Sequence, residues 1–72
     1  MEKQFELLDV VALVSDRSEE GLSRGQVGTI VEILAERVFA VEFSDLEGET
    51  YALLTLKAED LLQLHHRPLE AA

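Results

Sequence analysis

The sequence predicts a small, mainly β domain of about five short antiparallel strands in a partly open barrel, with one 3₁₀ turn before the last strand. Three observations carry this. Apolar residues alternate with period two in the stretches 27–34 and 38–43. The apolar runs are short and rich in Val, Ile and Phe, and clusters of Gly, Ser and Asp separate them. Apolar spacing of three and four residues, the mark of an amphipathic helix, occurs only across Ala58 to Leu64.

The first strand is expected over Phe5 to Val14, where FELLDVVALV is too short and too valine-rich for a helix. Residues 15–26, SDRSEEGLSRGQ, replace that pattern with polar residues and two glycines and read as one long loop. Leu22 lies alone in the loop between Gly21 and Ser23 and is expected to anchor it into the core.

The second strand, VGTIVEIL at 27–34, sets Val27, Thr29, Val31 and Ile33 on one face against Gly28, Ile30, Glu32 and Leu34 on the other. After a break at 35–37, VFAVEF places Phe39, Val41 and Phe43 on one side, Ala40 and Glu42 on the other, as a third strand hairpinned to the second. Ser44, Asp45 and Gly48 supply a tight turn, and TYALLTL at 50–56 forms the fourth strand. KAEDL favours a 3₁₀ turn. LLQLHH at 61–66 returns as a short fifth strand, which Pro68 ends. The order of strand, long loop, three hairpinned strands, helical turn and last strand is that of an SH3-like barrel. The expected organisation is one domain over 1–67 and a flexible tail over 68–72.

Composition narrows function. A hydrophobic fraction of 47% with 29% charged residues supports a folded core rather than a disordered chain. No cysteine is present, so packing must act without disulfides or a thiolate zinc site. Six basic residues against fifteen acidic ones give a net charge of -9, which repels nucleic acid and favours a basic protein surface as partner. The bases Lys3, Arg17, Arg24, Arg37, Lys57 and Arg67 are scattered and form no stripe. The run Leu7 to Val14 contains Asp9 and is too short to span a membrane, and the first residues do not read as a signal peptide. Cytoplasmic residence is the expectation; the oligomeric state is left open.

Glu42, Asp45, Glu47 and Glu49 gather around the turn between the third and fourth strands and are the expected partner contact. They lack the spacing of an EF-hand loop, and no metal is assigned to them. His65 and His66 are adjacent, so on a strand they leave on opposite faces and cannot converge on one ion. No Ser, His and acid constellation stands out, so no catalytic residue and no cofactor is assigned and an enzyme is not expected. Phe5, Phe39, Phe43 and Tyr51 are the aromatics and are read as core packing.

The stretch RGQVGTIVEI at 24–33 sets Gly25 and Gly28 around a valine at the start of a strand, where the second glycine allows close approach of a neighbouring strand. Gly25, Gly28 and Gly48 are accordingly structural glycines. This stretch resembles the KOW-type glycine motif of ribosomal and transcription-factor domains, which implies RNA binding; the acidic charge argues against it. LLDVVAL at 7–13, GLSRGQVGTIVEIL at 21–34, VEFSD at 41–45 and TYALLTLKAEDLL at 50–62 together resemble a family of small bacterial proteins catalogued only as a domain of unknown function, family 4926. That resemblance implies a stand-alone cytosolic protein without established chemistry, some of whose relatives act as neutralising partners of toxins. The leading expectation is an acidic protein-interaction module of antitoxin or immunity type; a KOW-like ribosome-associated module and a self-assembling subunit are the alternatives.

Overall fold

The computed structural model describes residues 5–45 and 47–64. They form one five-stranded sheet, β1 (Val10–Leu13), β2 (Val27–Ala35), β3 (Val38–Ser44), β4 (Thr50–Lys57) and β5 (Leu61–Gln63). All neighbours are antiparallel, and the order across the sheet is β4-β3-β2-β1-β5. The fold is mainly β, as expected, and the order is the SH3-like one.

One core serves the whole sheet. Val11 and Leu13 of β1, Ile30 of β2, Phe39, Val41 and Phe43 of β3, Leu56 of β4 and Leu61 of β5 form a single buried cluster with Leu22 and Ala58. A sheet whose strands all bury their inner residues in one cluster must curl around it. The curl is fastened through the 3₁₀ turn Ala58–Asp60, where the Ala58 N–H donates to Arg37 O at 3.0 Å and the Val14 N–H donates to Asp60 O at 3.1 Å. The β2–β3 turn is thereby tied to the end of β1. Leu22 is 2% exposed, so the loop anchor expected from sequence is in place.

Four expectations are corrected. Strand β1 begins at Val10 rather than Phe5, because residues 6–9 turn: Leu8 has φ 72°, the Asp9 N–H donates to Glu6 O, and the Glu6 N–H donates to the Asp9 carboxylate at 2.8 Å. Strict alternation in β2 fails after Ile30, because register shifts between Ile30 and Glu32 and between Ile33 and Ala35 insert extra residues opposite β3. Val31, Ile33 and Leu34 are exposed. A second 3₁₀ turn, Ser18–Glu20, lies in the long loop. Strand β5 spans Leu61–Gln63. His65, His66, Pro68 and the tail 68–72 lie outside the described residues.

Candidate interaction surface

The acidic turn is built around one of its own carboxylates. Asp45 Oδ1 accepts from the Glu47 N–H at 2.9 Å and the Glu49 N–H at 3.0 Å. The Asp45 N–H donates to Glu49 O at 2.9 Å, and the Gly48 N–H returns to Asp45 O at 3.0 Å. Gly48 closes the turn at φ +85°, a conformation that costs residues with a Cβ about 1 kcal/mol or more. Asp45 is therefore a turn-forming residue, and its carboxylate is already engaged. Glu42, on the outer face of β3, accepts from Thr50 Oγ1 at 2.6 Å and faces Leu53 across the strands. The exposed side chains of Glu47 and Glu49 have no hydrogen-bond or ion-pair partner among the described residues. Of the four carboxylates singled out in the sequence, these two are free to meet a partner. Asp45→Ala is expected to lower the unfolding free energy by about 1 kcal/mol through loss of two local acceptor bonds. The urea midpoint should fall while the denaturant slope stays constant.

The long loop reaches the same end of the sheet. Strand β2 is antiparallel to both β1 and β3, so β1 and β3 run in one direction and deliver their following loops side by side. A side-chain bond joins the loop to the start of β4, with Gln26 Nε2 donating to Tyr51 Oη at 2.7 Å. The loop is internally braced. Arg17 bridges Leu22 in both directions at 2.8 and 3.0 Å, the Arg24 N–H donates to Asp16 Oδ1 at 2.8 Å, and the Gly25 N–H donates to Leu13 O at 2.8 Å. Gly25 sits at φ +92°, as expected of a turn glycine. Asp16, Arg17, Ser18, Glu19 and Glu20 line a shallow concavity on the loop. The Arg17–Glu20 ion pair there, at 3.5 Å with both side chains a third exposed, adds little to stability. The loop acids and the turn acids thus share one end of the molecule.

Two exposed residues that the sequence did not mark as surface contacts adjoin this end. Tyr51 was expected in the core but is 49% exposed, and Leu53 is 61% exposed. Both lie on β4, whose inward positions are Ala52, Leu54 and Leu56. Ala52 pairs with the inward Phe43, so alternation along β4 sets Tyr51 and Leu53 on the outer face. Among the described residues no group of His, Asp or Glu is placed to hold a metal ion, and no helix is long and apolar enough to cross a membrane.

A family model described as a domain of unknown function (DUF4926) matches residues 7–63. No curated protein and no solved structure matches the chain.

Proposed function

The chain belongs to the DUF4926 family, and from that premise we propose that it is a protein-interaction module whose acidic end covers a basic surface on a protein partner. The contact is of the kind an antitoxin or immunity-type protein makes with a toxin or nuclease. The observation that carries this reading is the pair Glu47 and Glu49, exposed and unpaired among the described residues on a turn that Asp45 holds rigid. The turn backbone needs no ordering on contact, and complementary potentials speed encounter and select the partner. The net charge of -9 extends the same field around the molecule.

The test is affinity capture from the native cell with the full chain as bait, beside a Glu47→Gln, Glu49→Gln bait. Because both side chains are exposed, the double variant should keep its stability within about 0.5 kcal/mol. A basic protein retained by the parent, released by added salt and lost from the double variant is the expected result. Recovery of no second protein, or of one indifferent to the two substitutions, would overturn the proposal. A pure chain whose mass doubles in light scattering would point to self-assembly instead.

A further inference from the structure

We propose that the free edge of β4 is the docking line for the partner, and that the occupant is an extended basic segment of that partner, added as a sixth strand. The inference rests on the protein-binding reading above and names where and how the partner is held.

Strand β4 ends the sheet order, so the side away from β3 presents backbone N–H and C=O groups to solvent. Among the described residues no backbone group outside β3 hydrogen-bonds to the backbone between Tyr51 and Leu56. Natural edges are usually kept short or broken by proline, bulges or charge. The opposite edge follows that rule, since β5 has three residues. Strand β4 has eight, its register shift falls at Tyr51 near its start, and its sequence TYALLTLK holds no proline, no glycine and no charge before Lys57. An edge of that length and composition is a pairing template.

Side chains and charge select the occupant. Tyr51 and Leu53 stand exposed beside the edge and offer apolar contact to every second residue of an added strand. Glu47 and Glu49 lie just before the first residue of β4. Lysine or arginine in the added strand meets these two free carboxylates, whereas a second copy of this chain brings fifteen acids against six bases to the same line.

The experiment is residue-resolved amide hydrogen exchange on the full chain, alone and with a decapeptide of alternating lysine and valine, using alternating glutamate and valine as the charge control. The lysine peptide should slow alternate amides between Thr50 and Leu56 by about tenfold or more, and the glutamate peptide should leave them unchanged. Leu53→Lys should weaken peptide binding by about tenfold while the amides of β1 keep their protection, which shows that the variant is folded. The inference falls if the lysine peptide protects no β4 amide, if both peptides protect alike, or if protection rises with chain concentration without peptide. In the capture assay, a partner lost from the Glu47→Gln, Glu49→Gln bait but kept by Leu53→Lys would leave the acidic contact standing and remove the β4 edge.

Discussion

Phe43→Ala is expected to lower the unfolding free energy by about 4 kcal/mol, the cost of leaving a cavity where a core aromatic stood. Phe43 is 0% exposed and is one of the largest fully buried side chains. It lies on β3, which is paired on both sides, so the surrounding strands cannot close on the cavity without breaking a ladder. A domain of this length holds roughly 4–11 kcal/mol in all, and no disulfide backs it up. The variant should therefore keep at most about 7 kcal/mol, and at the low end of the range it is about half unfolded without denaturant. Urea titration followed by circular dichroism gives the test. A loss under about 1 kcal/mol would mean that the core repacks freely and that β3 is not its centre.

The sequence reading of the same region succeeded because β3 alternates cleanly and both its faces are decided locally: Phe39, Val41 and Phe43 inward, with Ala40 and Glu42 outward. Leu22 and Gly28 were legible for a related reason. An isolated leucine in a polar loop and a glycine at the start of a strand each have few physical explanations. The errors arose where register decides the outcome. The register shifts at Val31 and Leu34 leave no mark in an apolar run, so β2 was read as regular. The start of β1 was misplaced because the turn depends on the Asp9 carboxylate, which accepts from both the Glu6 N–H and Gln63 Nε2, the latter far away in sequence.

The candidate surface was half legible. Four acids around a turn are visible in the letters, but only the hydrogen bonds separate Asp45, which builds the turn, from Glu47 and Glu49, which it displays. Tyr51 and Leu53 were hidden because TYALLTL reads the same whether its strand is central or at the edge. Edge position is a property of topology, fixed by β5 pairing with β1 and leaving β4 without a second neighbour among the described residues.

Gly28→Ala should cost about 3 kcal/mol, near the upper end of what overpacking usually costs. A Cβ at this position would lie 2.8 Å from Glu42 O and 2.9 Å from Cδ2 and Cε2 of Phe43. One obstacle is backbone and the other is a core ring. The Glu42 carbonyl belongs to the β3 backbone beside the Thr29↔Glu42 pair and cannot swing away without disturbing the ladder. The ring can be shortened. In a Phe43→Leu background the aromatic atoms are gone, so Gly28→Ala should cost less by about 1 kcal/mol, a coupling typical of residues in contact. It should still cost something, because the carbonyl remains. Four urea titrations, of the parent, both single variants and the double, complete the cycle. An unchanged cost would show that the ring already yields and that the carbonyl alone enforces glycine. A cost that vanishes would show the reverse, with Phe43 alone excluding a side chain at Gly28.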